Sequence, residues 1–376
     1  MGYSDPTHRA PLGHCVHGSS AWVDARLPDG CRVQTGFLST PFLSWAQGPS
    51  QARDDGRRRP RFRLMASRRR PAVLAPFRPY DSRVKIGVIL PAAQVDEHGG
   101  TPDWRTVQSF AQTAESHGLD SVWMFDHFFD RSRPWTQAMQ EAWTIVSAVA
   151  AVTQRVGIGT LALCSSFRNL GLVAKMAVTA DDVSGERLIL GLGAGWHDEE
   201  YQAFGYPIDH RVDRFDEALQ IIGPLLRGAR VSFQGRYYEI RDAELAPKPG
   251  RQIPVLVAGD GPRMLRLAAR YADAWNTAWF GAPDEALRQL TDAFSAAVEA
   301  EGRDPSSVTR TVGMNVRDPS RAASDDEREF AGSIDELAHA IDAHESMGTG
   351  HLIIQLLPHD EQSLDRLTDA VEMRSN

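Results

Sequence analysis

The strongest constraint on the fold is an alternation that begins at Val84 and continues nearly to the C-terminus. Short apolar runs alternate with amphipathic stretches of helical length, and the pair occurs eight times. Runs with few polar residues, such as RVGIGTLAL at 155–163, are typical of parallel strands buried on both faces. Eight such units fit a closed barrel better than an open doubly wound sheet, which usually has fewer strands. We therefore predict an α/β fold, a (β/α)₈ TIM barrel, over residues 83–376.

The limits of the predicted elements follow from where each apolar pattern starts and stops. Strands are expected at 84–90, 119–125, 155–163, 187–192, 255–258, 274–279, 309–316 and 351–356. Helices are expected at 103–117, 137–152, 170–183, 210–227, from 262 onward, at 284–301, at 334–346 and finally to about 371. Alternating residues around a glycine at 231–238 predict a short antiparallel hairpin before the fifth strand.

Residues 1–82 differ in composition from the rest of the chain. The first 80 residues contain 13 Arg and 5 Asp but no Lys or Glu, a net charge of +8, so the remainder carries −16 to give the total of −8. Such a segment is either an arm for nucleic acid or a membrane surface, or an unfolded extension for which Met65 offers an alternative start of translation. The absence of Lys and Glu favours the extension. We predict disorder over 1–82 and neither a nucleic-acid nor a membrane partner.

The cysteines are Cys15, Cys31 and Cys164, an odd number without CxxC spacing. This pattern predicts neither a disulfide framework nor a metal site. The sequence also contains no apolar run of about 18 residues and no secretory signal pattern. We therefore predict a cytoplasmic protein without a metal ion.

A barrel of this type carries its functional residues in the loops that follow the carboxyl ends of its strands. Asp126 and His127 directly follow the second predicted strand. Histidine exchanges a proton near neutral pH, and a carboxylate accepts hydrogen bonds from a hydroxyl or a ring N–H. We predict that both residues are catalytic. The alternative is that Asp126 caps the next segment and His127 only packs.

The fourth predicted strand is followed by the sequence GLGAGWHDEE at 191–200. Small residues here allow the backbone to approach a flat ligand, and Trp196 offers an aromatic face. The spacing differs from the GxGxxG of dinucleotide-binding folds, so that assignment is excluded. We predict that Gly193, Ala194, Gly195 and Trp196 bind a cofactor; a tight barrel turn is the alternative.

The fifth predicted strand leads through two glycines into a helix that begins near Pro262. The free N–H groups of a helix N-terminus bind phosphate, and an arginine adds a bidentate contact. We predict a phosphate site here rather than a simple helix entry with a solvent-facing arginine. Its residues are Ala258, Gly259, Asp260, Gly261 and Arg263.

Other reactive residues near the predicted rim have less specific signals. Cys164 ends the third strand without an assignable activating partner, so a buried structural thiol is favoured over a nucleophile. Arg168 is a candidate anion contact. His197, His210 and Arg211 follow the fourth strand, where a charged, solvated surface is expected.

Three segments together resemble the luciferase-like monooxygenase superfamily, in particular its F420-dependent branch. They are WMFDHFF at 123–129, a long run at 157–207 that begins GIGTLALCSSFRNLG, and PVLVAGDGPRMLRLAARYADAWN at 254–276. The resemblance extends from about Val84 to the C-terminus. The long central run carries it; the Asp126–His127 pair alone would not.

The resemblance implies a bulged barrel with coenzyme F420 at its carboxyl-terminal mouth and the cofactor phosphate near the loops after strands four and five. It implies a non-prolyl cis peptide near Leu161 and Ala162, behind the deazaflavin ring. It places Asp126 against that ring or its hydroxyl and His127 beside the site of hydride transfer. Barrels of this superfamily commonly pair through outer helices, which implies a homodimer acting on a small organic substrate.

Trp196 marks a departure from the sugar-phosphate dehydrogenases of the superfamily, which carry a glutamate after the Gly-x-Gly of the fourth strand. This departure argues against sugar-phosphate oxidation and favours a less polar organic substrate. The loops at 128–139 and around Trp279 and Phe280 would shape its pocket.

F420-dependent hydride transfer is the function we predict, because deazaflavins activate oxygen poorly and favour dehydrogenase or reductase chemistry. Two alternatives are compatible with the sequence: an FMN-dependent monooxygenase of the same fold and a non-catalytic flavin-binding protein. The non-catalytic protein would lack the proton-handling residues, whereas Asp126 and His127 are both present.

Overall fold

The computed structural model describes residues 83–94, 99–130, 136–321 and 328–374. Within these ranges, eight parallel strands follow one another around a closed barrel, and the fifth pairs with the fourth to complete the ring. The strands are β1 (Lys85–Ile89), β2 (Ser121–Met124), β3 (Gly157–Thr160), β4 (Leu188–Gly193), β5 (Val255–Ala258), β6 (Ala274–Phe280), β7 (Thr309–Arg317) and β8 (His351–Leu357). The predicted (β/α)₈ barrel is confirmed. The prediction of disorder over 1–82 lies outside the described residues.

Helices pack around the outside of the barrel, one after each strand, with one additional short helix after β4. They are α1 (Trp104–Ser116), α2 (Ala142–Val152), α3 (Leu170–Ser184), α4 (Asp198–Phe204), α5 (Arg211–Leu226), α6 (Pro262–Tyr271), α7 (Glu285–Ala300), α8 (Ile334–Ser346) and α9 (Glu361–Met373). Across the described ranges, every helix is too short or too polar to span a bilayer.

Two predicted elements have different limits in the structure, and one helix was not predicted. Helix α2 begins at 142 rather than 137, because the Glu141 side chain accepts the N–H groups of Trp143 and Thr144 and so ends the preceding loop. Residues 137–138 instead pair with Phe129–Asp130 as a short antiparallel ladder. The predicted hairpin exists, but its strands are Val231–Gln234 and Glu239–Ala243, so 235–238 form the turn. Helix α4 was not predicted.

The third strand is interrupted after Thr160. A cis peptide joins Leu161 to Ala162, and Leu163–Cys164 then continues alongside β4. The interruption turns the backbone at the cavity end of the barrel. The non-prolyl cis peptide implied by the family resemblance is therefore confirmed at the expected position.

The middle of the barrel is filled by Trp123, which is fully buried. Two glycines on the neighbouring strands make room for its indole: a Cβ at Gly87 would lie 2.6 Å from Trp123 Nε1, and one at Gly159 would lie 2.1 Å from the ring. Ile89 and Ile353 complete this packed layer. Since side chains close the middle of the barrel, the space available to a ligand lies at the carboxyl ends of the strands.

A short chain of hydrogen bonds lies beside this layer. Trp123 Nε1 donates to Ser121 Oγ at 2.7 Å, and Ser121 Oγ lies 2.8 Å from His351 Nε2. A neutral His351 ring that is protonated at Nδ1 can accept the hydroxyl proton of Ser121 at Nε2. Burial lowers the pKa of His351 to about 3, in agreement with a neutral ring that accepts.

Candidate active site

A cavity of about 700 Å³ opens at the carboxyl ends of the barrel strands. Its size is within the usual range for pockets that bind a cofactor or a small molecule. The structure brings most of the predicted site residues together in its wall: Asp126, His127, Leu161, Ala162, Gly193, Ala194, Gly195, Trp196, Ala258, Gly259 and Asp260. The predicted residues Gly261 and Arg263 are not part of this wall.

His127 is held by a carboxylate within the cavity wall. Its Nδ1 lies 2.9 Å from Glu200 Oε2. A carboxylate accepts hydrogen bonds, so Nδ1 carries the proton that is donated to Glu200. The other ring nitrogen, Nε2, is then the atom of His127 that a ligand in the cavity can reach.

Glu200 is 1% exposed, and its second oxygen is also occupied. Glu200 Oε1 accepts the backbone N–H of Phe128 and, at 3.2 Å, that of Phe129. These bonds attach the segment after β2 to helix α4 and fix the carboxylate against rotation. Sequence reasoning missed Glu200 because it counted as one of several acids in a solvated run. The available signal was its position in the segment that follows a barrel strand.

Asp126 is 4% exposed and makes a bidentate ion pair with Arg168. Arg168 donates to its two oxygens at 2.7 and 2.9 Å, and the Cys164 backbone N–H donates to Oδ2 at 2.8 Å. Arg168 also contacts Glu141 at 2.5 Å. The carboxylate therefore ties the end of β2 to the segment after β3, and Arg168 is already saturated by anions. The cofactor contact expected of Asp126 stays a prediction.

Gly195 allows three parts of the wall to meet. It has a φ of +78°, and a Cβ there would lie 2.0 Å from Tyr201 Oη and 2.8 Å from Cys164 Sγ. Tyr201 Oη donates to Ala194 O at 2.8 Å and lies 3.1 Å from Cys164 Sγ. Burial raises the pKa of Cys164 to about 11, so the side chain is a thiol at neutral pH. This supports the predicted structural role of Cys164.

Trp196 extends over the mouth of the cavity and is 62% exposed, which is unusual for so large an apolar side chain. Its ring centroid lies 5.4 Å from that of His127 in an edge-to-face arrangement. The next residue, His197, is buried beside His127 and Phe129, so the expectation of a solvated surface was wrong there. It holds for His210, which is exposed.

The opposite wall is formed by the end of β8 and the residues after it. Gln355 and His359 line the cavity, and His359 Nε2 has no hydrogen-bond partner among the described residues. Burial lowers the pKa of His359 to about 4, so the imidazole is neutral near pH 7. Sequence analysis did not identify either residue, although both stand at a strand end, where this fold places function.

The sequence profile of the luciferase-like monooxygenase family matches residues 84–374. The chain belongs to this family. It is 33% identical to an F420-dependent glucose-6-phosphate dehydrogenase of Kineococcus radiotolerans, over 57% of this chain and 65% of that protein, so it spans less than two thirds of that relative. It is 32% identical to a phthiodiolone/phenolphthiodiolone dimycocerosates ketoreductase of a Mycobacterium species, over 66% of this chain and 72% of that protein.

The fold is also that of a solved structure, an F420-dependent secondary alcohol dehydrogenase in complex with an F420-acetone adduct. The TM-score is 0.67 at 21% identity, covering 78% of this chain and all of that one. At this identity the similarity supports the shared barrel and not a shared substrate.

The predicted phosphate site lies at the start of α6. Pro262 occupies the first turn of the helix, as expected, and Gly259 has a φ of +140°. Arg263 forms an ion pair with Asp213 and is exposed rather than facing the cavity. The helix N-terminus is thus beside the cavity mouth, while its arginine is engaged on the outer surface.

The cavity suits a flat ring system such as the deazaflavin of F420. Small residues from three strand ends form one side of it, and a Cβ added at Gly193 would lie 3.4 Å from Ala162 Cβ. A wall of this kind lets a ring lie close to the backbone, whose polar groups can bond its edge. The residues present therefore fit the cofactor bound by other members of the family.

Proposed function

We propose that this protein is an F420-dependent oxidoreductase that transfers a hydride between the deazaflavin and a small organic substrate. The observation that carries the proposal is the His127–Glu200 pair, which presents a proton-handling nitrogen to a cavity shaped for a flat ring. The relatives named for F420-dependent dehydrogenation support it. Their names refer to different substrates, so they do not select one.

In this proposal, Leu161 and Ala162 lie behind the deazaflavin ring, and Gly193 to Trp196 with Ala258 to Asp260 surround it. The start of α6, with Gly261, binds the cofactor phosphate, and Arg263 would assist by exchanging its partner Asp213 for the phosphate. Asp126 shapes the ring site through its bond to the Cys164 backbone. Bound F420 supplies the acceptor or donor of two electrons and one proton that the protein itself lacks.

His127 manages the second proton. When an alcohol is oxidised, the hydrogen on its carbinol carbon would leave with both bonding electrons as hydride to bound F420, and its O–H proton would pass to His127 Nε2, leaving a carbonyl. When a carbonyl is reduced, Nε2 returns the proton to the oxygen. Glu200 accepts the hydrogen bond from Nδ1–H throughout. Its negative charge stabilises the imidazolium that forms when Nε2 is protonated.

We also propose that residues 83–376 form the functional unit, as a homodimer in the cytoplasm. The family match supports the start of this unit, since it begins at residue 84. Helix α3 supports pairing, because Leu172 and Val183 are each about half exposed on it. Light scattering of the purified protein tests the dimer directly.

The test is a pair of titrations with F420 and FMN, followed by fluorescence. We expect F420 to bind at least ten times more tightly. His127→Ala should reduce turnover by about 100-fold while changing the F420 dissociation constant only slightly. Tight binding of FMN alone, or unchanged turnover in His127→Ala, would refute the proposal.

A further inference from the structure

The described part of the cavity wall contains no Lys or Arg side chain. Three arginines on the elements that form the cavity mouth are each bound to a carboxylate. Arg168 is paired with Asp126, Arg211 with Asp198 and Arg263 with Asp213. A dianionic group such as a phosphate ester needs charge-assisted donors when it leaves water, and recruiting Arg168 would leave the buried Asp126 carboxylate unpaired.

The ionisable groups that line the described cavity wall include Asp130 and three further carboxylic acids. Asp126, Glu200 and Asp260 all contribute to the wall. Glu200 is deeply buried near His127, so an anion placed at His127 would lie close to its charge. Repulsion in a partly desolvated site is stronger than in water. The electrostatics of the described wall therefore disfavour an anionic substrate beside His127.

The remaining wall offers apolar surface and neutral hydrogen-bonding groups. Trp196 presents an exposed indole next to His127, and Met139 and Trp279 are also in the wall. Gln355 and the neutral His359 are the polar groups across the cavity. Surfaces of this composition bind an uncharged molecule by burying its carbon skeleton and bonding its oxygen.

We propose that the substrate is an uncharged alcohol or carbonyl compound, with its oxygen at His127 Nε2 and its apolar body against Trp196, rather than a phosphate ester. This inference rests on the proposed F420-dependent function and specifies its substrate class. The cofactor phosphate would bind at the start of α6, where Gly261 and Arg263 lie outside the described cavity wall.

The experiment compares matched ligands that differ only in charge. Calorimetry measures the dissociation constants of C4 to C10 secondary alcohols and cyclohexanol, and of the corresponding phosphate esters, together with glucose and glucose 6-phosphate. Each is titrated into the full chain with and without F420. We expect the best alcohol to bind at least ten times more tightly than its phosphate ester, with affinity rising with chain length.

Two variants place the binding at the proposed surface. Trp196→Ala should weaken the best alcohol about ten-fold, while Met373→Ala, which removes an exposed apolar side chain from α9, should leave its affinity unchanged. Tighter binding of the phosphate esters, no binding by any uncharged compound, or no difference between the two variants would overturn the inference. Failure to bind F420 while alcohols still bind would instead overturn the proposed function.

Discussion

Glu200 Oε2 lies 2.9 Å from His127 Nδ1. Glu200 is in the first turn of α4, which begins two residues earlier. This contact determines which ring nitrogen holds a proton at rest and which one faces the cavity. His127, the proposed proton-transfer residue, is therefore oriented by a buried carboxylate that is distant in sequence, as in other acid–base sites where a third group positions the base.

Glu200→Gln should lower kcat by about 100-fold, because the neutral amide cannot stabilise the charged imidazolium. The F420 dissociation constant should change little, and the pH at which activity is half-maximal should shift, which a merely structural residue would not cause. Glu199→Gln is the matched control on the exposed side of the same helix. Equal kcat values for the two variants would remove Glu200 from the mechanism.

Gly195→Ala should destabilise the protein by more than its positive φ alone requires. The added Cβ would lie 2.0 Å from Tyr201 Oη, which is buried and cannot move freely. Gly205→Ala is the control, since Gly205 has a similar φ of +73° and nothing within 4 Å of the added atom. We expect a loss of about 1–2 kcal/mol at Gly205 from backbone strain and about 1–3 kcal/mol more at Gly195 from the clash. Urea unfolding measures both, and equal losses would contradict the clash.

Arg168→Met should cost about 3–5 kcal/mol of unfolding free energy, because it leaves the buried Asp126 carboxylate without its cation. Asp126→Asn combined with Arg168→Met should recover part of that loss, since no charge is then left unpaired. Denaturant unfolding of the two variants distinguishes a buried ion pair from a surface one. A double variant that is less stable than the single one would show that the pairing has another role.

The unfolding free energy should fall as the pH drops from 6.5 toward 5, partly because of His351. Burial lowers the pKa of His351 from 6.5 to about 3, so below pH 6.5 the unfolded chain binds a proton that the folded chain does not. Each such group lowers the unfolding free energy by up to about 1.4 kcal/mol per pH unit as the pH falls through this window. Above the window the stabilisation from the neutral ring is fully present.

Unfolding of His351→Gln at a series of pH values should show a shallower decline over that window than the wild-type protein. Some decline should remain, because burial also lowers the pKa of His344 and His359. His339→Gln changes an exposed histidine and should keep the wild-type slope. The same slope in both variants would mean that His351 is charged in the folded state.

The barrel could be predicted from the sequence because its signals are local. Helix α8 has the predicted limits, Ile334–Ser346, since Ser333 and Glu336 form a capping box that a reader can see within four residues. The strands were similarly visible as apolar runs, and their closure follows from their number.

The site was only partly predictable because its decisive contacts are long-range. His127 and Glu200 are 73 residues apart, and the residues around one do not indicate that it contacts the other. Helix α4 has seven residues, too few for a periodic pattern, and its first turn is entirely acidic. Arg263 was correctly placed at the start of a helix, but its ion pair with Asp213 depends on how α5 packs against α6.

The packed layer around Trp123 also constrains the order in which ligands can enter and leave the cavity. Because the barrel is closed at that level, the cavity opens only at the carboxyl ends of the described strands. Under the proposed function, cofactor and substrate therefore enter through the same opening. The ligand that binds deeper in the cavity must bind first and dissociate last. Turnover should then follow an ordered sequential mechanism. The product that leaves first should compete poorly with the ligand that is still bound deeper in the cavity.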